Sequence, residues 1–339
     1  MSKVTIKDVA REAGVSAAAV SRVFSKNASV SETMQKKVYE AADKLGYRPN
    51  ALARALTQTN INLVALITGT LRTTFEAHLR DRLAQKLSEE GLQLLLIPKP
   101  QDGKIDDALM TALDYQVCAT IVAQGSMRPE TLERYARHQV PLIVSGSRAK
   151  AVNLDSIAAD SSTVRTATEF LIRSGCKSIG YLGTEHRPPS DSERQAACEK
   201  ALEAAGLTLL GRIGYNTAHP DCPDHILTGL GKLRSAGMDG LICANDTLAY
   251  MALTAARKLH IRVPDELSVV GFDNSRSLGH APDVLSTIHY PLEETANWIV
   301  QRILDRRKTP DLPGEHREVS TRLILRATTR PIEDPTELN

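Results

Sequence analysis

The chain of 339 residues has few cysteines, and their spacing disfavours the sites that cysteine most often builds. The five cysteines are scattered without a Cys-x-x-Cys pair, and the nine histidines show no His-Glu-x-x-His spacing. A zinc site or a disulfide framework would need such clustering. We therefore predict buried thiols in a reducing cytoplasm, with no bound metal and no cofactor.

Long apolar runs and nucleotide-binding loops are missing as well. No stretch approaches the roughly 18 apolar residues of a membrane span, and none follows Met1 as a secretory signal would. Neither Gly-x-Gly-x-x-Gly nor Gly-x-x-x-x-Gly-Lys-Ser/Thr occurs, and there is no nucleophile elbow. These absences predict a soluble cytoplasmic protein that has no membrane partner and is not an enzyme.

Charge is distributed unevenly along the chain. Residues 1–60 hold ten basic and five acidic side chains, whereas the rest of the chain holds 32 basic and 35 acidic ones. A basic segment on a mildly acidic body is typical of proteins that bind the phosphates of nucleic acids. The alternative is a generic helical bundle without a partner, and the gathering of cations at one end argues against it.

The basic segment has the pattern of a helix-turn-helix. Thr5 and Asp8 predict the capped start of a first helix, and Gly14 predicts its end in a left-handed conformation. Ser16 can cap a second helix, and Ser31 a third. Inward-facing valines then leave the outer face of the second helix for the DNA major groove; this face comprises Ala17, Ala18, Ser21 and Arg22.

A short segment links this head to the remainder of the chain. Pro49 ends the preceding helix, and Asn50 can cap a new one of about two turns, which is too short to be stable in isolation. A leucine and an arginine on such a helix fit insertion into a minor groove. The residues favour this interpretation and that of a plain linker about equally.

Downstream of residue 62, short apolar runs alternate with amphipathic stretches. Strands are predicted at 63–67, 93–97, 120–123, 142–145, 178–182, 240–243 and 268–271, and helices at 75–90, 163–174, 193–205 and 247–259. Such alternation predicts an α/β fold of parallel sheets flanked by helices, with two similar lobes. A ligand of such a body binds between the lobes, at the carboxyl ends of strands.

Seven short motifs stand out along the chain, at residues 4–10, 13–16, 20–23, 45–50, 192–194, 244–246 and 269–273. In these motifs and their spacing, the chain resembles the lactose/galactose repressor family over about 330 residues. The resemblance implies a helix-turn-helix head (1–48), a hinge helix (49–60), a body like periplasmic sugar-binding proteins (61–330) and a tail (331–339). The first lobe would comprise 61–158 and 289–319, and the second 159–288 and 320–330.

The resemblance also implies partners and DNA contacts. A repressor of this kind binds a palindromic operator in double-stranded DNA as a homodimer, and the tail lacks the leucine heptads of tetrameric members. Residues 16–24 would form the recognition helix, with Ala17 and Ala18 at bases and Leu56 wedged into the central step. The full implied set is Thr5, Ser16, Ala17, Ala18, Ser21, Arg22, Ser29, Asn50, Ala53 and Leu56.

One departure from the family concerns base recognition. Ala19 stands where the family usually has a hydroxyl residue, so three consecutive alanines can only touch thymine methyls or let the helix sit deeper. Arg22 is then the expected direct reader, bidentate to a guanine, and a phosphate contact is the alternative.

For the effector, the resemblance implies a cleft in which Arg194, Asn245 and Asp273 hold hydroxyl groups. Arg72, Phe75 and Asp160 would face the same cleft from other walls. These groups suit a sugar. Further arginines, Arg148 and Arg187, admit a sugar acid or sugar phosphate, unless each is solvated or paired with a nearby acid.

Three other classes of protein are compatible with parts of this pattern. A periplasmic transport receptor would share the body but would need a signal peptide and no basic head. An enzyme would need a nucleophile, metal or phosphate loop. A nonspecific architectural DNA-binding protein would leave the two-lobed body without a role.

Overall fold

The computed structural model describes residues 4–24, 30–48, 62–69, 73–99, 105–123, 127–146, 148, 154–215, 222–275 and 284–332. The chain divides into two compact units, residues 1–62 and 63–339. The predicted hinge segment 49–60 and most of the tail lie outside the described residues, as do Ser29, Asn50, Ala53, Leu56 and Arg72.

The first unit contains three short helices: α1 (Ile6–Ala13), α2 (Ala17–Val23) and α3 (Glu32–Lys44). The Asp8 carboxylate accepts hydrogen bonds from the Thr5 backbone N–H (3.0 Å) and the Thr5 hydroxyl (2.6 Å), which fixes the first turn of α1. Gly14 ends α1 with φ +66°, and the Ser16 hydroxyl accepts from the Ala19 N–H at 3.1 Å. The predicted caps at Thr5, Gly14 and Ser16 are confirmed.

A small apolar core holds these helices together. One valine from each helix is fully buried, and small side chains fill the space around them: Val9, Val20, Val38, Val23, Ala10, Ala41 and Ala42. Because the core takes one face of α2, the opposite face is left to solvent.

The second unit alternates strands and helices, as predicted. In chain order these are β1 (Leu63–Thr68), α4 (Thr74–Glu89), β2 (Gln93–Pro98), α5 (Asp106–Asp114), β3 (Ala119–Ala123), α6 (Pro129–Ala136), β4 (Leu142–Ser145), β5 (Leu154–Ala159), α7 (Ser162–Arg173), β6 (Ile179–Thr184), α8 (Pro189–Ala204), β7 (Arg212–Tyr215), α9 (Cys222–Ser235), β8 (Gly240–Cys243), α10 (Asp246–Lys258), β9 (Ser268–Asp273), β10 (Ser286–His289), α11 (Leu292–Lys308), β11 (His316–Val319) and β12 (Arg322–Ile324).

The strands form two six-stranded sheets. The first has the order β11-β5-β4-β3-β1-β2 and is parallel throughout. The second has the order β12-β10-β9-β8-β6-β7, and its edge strand β12 runs antiparallel to β10. The α/β fold class with parallel-dominated sheets is confirmed. The antiparallel edge strand β12 arises because a chain that has just left β11 enters the second sheet without a helical crossover.

The chain passes between the two sheets three times: between β5 and α7, between β10 and α11, and between β11 and β12. We call the part around the first sheet the first lobe and the part around the second sheet the second lobe. In the second lobe, three free cysteines lie in the apolar core, each at most 2% exposed: Cys176, Cys198 and Cys243. Within the described part of the chain, no helix has the length and apolar character needed to cross a membrane.

A buried ion triad joins α11 to the first sheet. Asp155, fully buried on β5, accepts from the Arg302 Nε at 2.8 Å and from the Arg306 guanidinium, and also from the Glu315 backbone N–H at 2.9 Å. Both arginines are less than 10% exposed. The carboxylate therefore ties together a strand, the long helix α11 and the chain entering β11.

We predict that Asp155→Asn lowers the free energy of unfolding by about 3–5 kcal/mol, because it leaves the buried Arg306 guanidinium without its counter-charge and Arg302 with only the exposed Glu315 carboxylate at 3.5 Å. Urea denaturation of the full chain measures this. The matched control is Glu294→Gln, which breaks the exposed Arg317–Glu294 pair (2.7 Å) and should cost less than about 1 kcal/mol. Equal small losses for the two variants would contradict the structural role of the triad.

Candidate functional site

The outer face of α2 is only partly as predicted. Ala18, Ser21 and Arg22 are exposed, whereas Ala17 is half-buried and packs against the core of the first unit. Ala19 is buried at 7% exposure. The expectation that three alanines face DNA together is therefore wrong, because the first turn of α2 places Ala17 and Ala19 against the other helices. Of the three, Ala18 alone is exposed for contact with a base.

Cations on this unit differ in their surroundings. Lys44 is paired with Glu12 at 2.6 Å, and Arg11 lies 3.4 Å from Asp8. Arg22 is the one charged residue of α2, in its last turn and exposed. Its guanidinium is therefore presented on the face that the helix-turn-helix leaves to solvent.

In the second unit, a cavity of about 50 Å³ lies between the two lobes. We call it the inner cavity. The first lobe contributes apolar side chains to it and also Thr68, Phe75, Glu76, Arg80, Ser145 and Gly146, and the second lobe contributes Ser190, Glu193 and Arg194. Thr68 and Ser145 end parallel strands, which is the position where open α/β sheets bind their ligands.

Arg194 is held in a fixed orientation at this cavity. Its Nη1 donates to the Ala244 carbonyl at 2.5 Å, and its guanidinium carbon lies 3.5 Å from the centroid of the Phe272 ring. Stacking on one face and a hydrogen bond at one end fix the plane of the fork. Arg194 is thus a pre-oriented donor at the inner cavity.

Asp273 lies on the other side of an aromatic partition. It lines a second cavity of about 780 Å³, which we call the outer cavity. Phe75 and Tyr290 line both cavities, and their rings meet edge to face with centroids 5.0 Å apart. The structure therefore places two predicted effector-binding residues, Arg194 and Asp273, on two sides of one ring pair.

The buried end of β9 carries an unusual carboxyl group. Asp273 is 9% exposed and has φ +113°, a conformation that costs free energy for a residue with a side chain. Burial raises its pKa well above the ordinary value, Arg194 opposes this shift, and the neighbouring Asp246 adds to it.

Asp246, which belongs to one of the family motifs but had no predicted role, completes this group. It accepts from the Thr287 hydroxyl at 2.5 Å and from the Ser275 backbone N–H at 2.8 Å. Burial raises its pKa to about 7, although these hydrogen bonds and the charges of Arg326 and Arg194 oppose the shift.

Two of the predicted effector-binding residues instead accept hydrogen bonds at the starts of helices. The Asn245 side-chain oxygen accepts from the Leu248 N–H at 2.9 Å at the start of α10, so one of its two acceptor positions is already used. Asp160 accepts from the Ser162 N–H (2.8 Å) and hydroxyl (2.5 Å) at the start of α7. Although burial alone raises its pKa, these bonds and Arg148 outweigh it and hold the pKa below its usual value. Neither residue is among the described residues that line the two cavities.

The additional arginines do not form a cationic cleft. Arg148 is paired with Glu318 and lies 3.9 Å from Glu193 of the second lobe. Arg187 is exposed on the turn before α8. Arg80 is paired with Asp81 at 2.7 Å. Carboxylates thus neutralise both Arg148 and Arg80. No cluster of three or more His, Cys, Asp or Glu residues that could hold a metal ion occurs in the described ranges.

Two family models match the chain. The model of bacterial regulatory proteins, lacI family, matches residues 5–50, and that of a periplasmic binding protein-like domain matches residues 168–329. The chain thus combines a DNA-binding head of the lacI family of bacterial regulatory proteins with a periplasmic binding protein-like domain. It is a DNA-binding transcriptional regulator whose body is of the periplasmic-binding-protein type, as the resemblance of its motifs predicted.

Relatives support the same assignment. Catabolite control protein A of Staphylococcus aureus is 28% identical over 85% of this chain and 88% of its own length. The transcriptional repressor PurR of Vibrio campbellii is 27% identical over 97% of this chain and 99% of its own length. The solved Lac repressor dimer bound to operator and the anti-inducer ONPF matches with a TM-score of 0.82, covering 97% of this chain and all of that one, at 22% identity, which shows the fold.

We predict that raising the pH through the range between 3.8 and about 7 destabilises the body through Asp246, because the folded state holds this proton more tightly than the unfolded chain does. Over this range the loss is up to about 1.4 kcal/mol per pH unit. The cost of Asp246→Asn, measured by urea unfolding, should therefore be smaller at pH 8 than at pH 5. The exposed Asp265→Asn serves as the control, and parallel pH curves for wild type and Asp246→Asn would refute the assignment.

Proposed function

We propose that this regulator is a homodimeric repressor that binds a palindromic operator and responds to a small neutral sugar. The observation that carries the proposal is the pair of adjoining cavities, of about 50 and 780 Å³, which side chains of both lobes line at the carboxyl ends of parallel strands. A ligand there contacts both lobes at once, so its binding free energy depends on how they are arranged. We place its target genes in carbohydrate or sugar-acid utilisation.

The operator would be recognised mainly by α2 and the segment that follows the head. Ala18, Ser21 and Arg22 are exposed on α2, and Arg22 alone offers the fork that fits guanine O6 and N7. Thr5, Ser16 and Ala17 lie at the starts of α1 and α2, where contacts position a helix in the groove. Ser29, Asn50, Ala53 and Leu56 belong to the proposed interface through the family resemblance.

The effector class follows from the charges around the cavity. Arg194 is a fixed donor, and the carboxylates of Glu76 and Glu193 line the same space. Because Arg80 and Arg148 are already paired with acids, an anionic effector would find few cations among the described residues to compensate its charge. Hydroxyl groups, which both donate and accept, satisfy the remaining groups best.

Control would operate by coupling between the two sites. The effector and the operator favour different arrangements of the lobes, and a coupling free energy of about 1–3 kcal/mol changes operator affinity roughly 5- to 150-fold. We assign no catalytic step, because the cavity groups are placed to hold hydroxyls. We place the protein in the cytoplasm, where its DNA partner is accessible.

We predict that Arg22→Ala reduces discrimination between operator and random DNA by about 1–3 kcal/mol, because one bidentate base contact is lost. Fluorescence anisotropy with both DNAs at one fixed salt concentration measures the two affinities. The control is Lys44→Ala, because the Lys44 ammonium group is already paired with Glu12. It should change neither the affinity for the operator nor that for random DNA appreciably. Equal losses on both DNAs would show that Arg22 contacts phosphate instead.

We predict that a neutral sugar stabilises the protein in a thermal-shift screen that also contains sugar acids and sugar phosphates. At a hundred times its dissociation constant, a ligand adds about 2.7 kcal/mol of stability. Arg194→Ala and Asp273→Ala should fold and lose this shift, whereas Lys200→Ala, exposed on the same helix as Arg194, should keep it. Stabilisation by an anionic compound alone would overturn the neutral class.

A further inference from the structure

Helix α8 carries three residues of the inner cavity but has little apolar packing where it carries them. Ser190, Glu193 and Arg194 lie in its first two turns. The first fully buried apolar side chain of the helix is that of Cys198, followed by Ala201 and Leu202. Apolar burial therefore anchors the later turns of α8, and another interaction must position the first two.

Asp191 supplies that interaction. Its side chain is 4% exposed and accepts from the Tyr181 hydroxyl (2.7 Å), the Thr184 N–H (2.7 Å) and the Thr184 hydroxyl (2.8 Å). Gly183 makes the approach feasible, since a Cβ atom at that position would lie 2.5 Å from the Asp191 Oδ1. The start of α8 is thereby fastened to the end of β6.

Arg212 extends this attachment to the next strand and the next helical turn. From the first residue of β7, its Nη2 donates to the Thr184 carbonyl and lies 3.3 Å from the Asp191 Oδ2. Its Nε donates to the Gln195 side-chain oxygen at 2.8 Å. One planar guanidinium thus contacts a strand end and two points on α8, a geometry that the flexible lysine side chain cannot reproduce.

Residues four apart lie one above the other on a helix, so Asp191 and Gln195 share one face. Ser190 and Arg194 share the adjacent face, one residue away. Fixing the face that carries Asp191 and Gln195 sets both the rotation and the axial position of these two turns. It thereby sets the direction in which Arg194 points. We propose that Asp191 and Arg212 are positioning residues that aim Arg194 into the effector cavity, an inference that rests on the proposed effector site.

Neither positioning residue is among the described residues that line the two cavities, so an effect on ligand affinity must act through α8. A buried ion pair by itself is weak evidence for a stabilising role, because its Coulomb attraction is offset by the loss of hydration. Its hydrogen bonds are directional, however, and a misplaced binding group loses affinity even in a folded protein. The expected defect is therefore in ligand binding before it is in folding.

The test uses the full chain and two readouts. Hydrogen exchange with mass spectrometry measures protection of residues 189–197, and urea denaturation measures overall stability. Asp191→Asn removes the negative charge opposite Arg212 and one of the two acceptor oxygens, and Arg212→Met removes the guanidinium. We expect both variants to speed exchange in this segment about tenfold or more, with the first lobe unchanged.

The second readout is ligand affinity, measured by calorimetric titration with D-ribose, D-galactose and cellobiose in turn. For the sugar that binds wild type best, we expect about 10- to 100-fold weaker binding to Asp191→Asn and Arg212→Met, as for other supports of a binding group. Arg212→Lys should recover part of the affinity, because it restores the charge opposite Asp191. Operator affinity without sugar should stay at the wild-type value.

Arg165→Met is the matched control, since its 3.4 Å pair with Glu169 is exposed and lies on α7 of the same lobe. It should match wild type in both readouts. Wild-type exchange and affinity in the Asp191 and Arg212 variants would overturn the positioning role, as would a loss of protection spread evenly over the second lobe. If no panel sugar binds wild type, the thermal-shift screen tests the neutral-sugar class, and the exchange measurement still decides whether Asp191 and Arg212 fix this turn.

Discussion

Three backbone segments connect the two sheets of the body, and this connectivity constrains what the lobes can do. A single linker would let one lobe turn freely against the other, but three crossings must bend together. The crossing after β10 also carries Tyr290, whose ring meets Phe75 of α4 between the two cavities. A change of lobe arrangement at this crossing would therefore reach the ring pair between the two cavities.

Local sequence signals predicted most of the framework. The head followed from short-range chemistry, since the caps at Thr5, Gly14 and Ser16 act within one turn of helix. The central strands of both sheets followed from their apolar runs. β5 was missed because Asp155 and Ser156 interrupt its apolar pattern, and both are buried. The partners that make Asp155 tolerable there, Arg302 and Arg306, lie about 150 residues further along the chain, beyond the reach of any periodicity.

The candidate site was predictable in its location but less so in the availability of its groups. Motifs indicated Arg194, Asn245 and Asp273, and the structure brings Arg194 and Asp273 to the two sides of one ring pair. The motifs did not reveal that Asn245 and Asp160 already accept hydrogen bonds at helix starts. A polar side chain at such a position is compatible with helix capping and with effector binding alike. Asp191 and Arg212 carried no recognisable motif, and only the fold shows that they meet.

The three buried cysteines of the second lobe have a consequence for how this regulator responds to oxidants. The nucleophile in thiol oxidation is the thiolate, and burial raises the pKa of Cys176, of Cys198 (to about 11) and of Cys243. Burial thus keeps oxidants away from these three sulfur atoms and also keeps the thiols protonated. Peroxide and disulfide reagents can therefore reach these three thiols only after the second lobe opens locally.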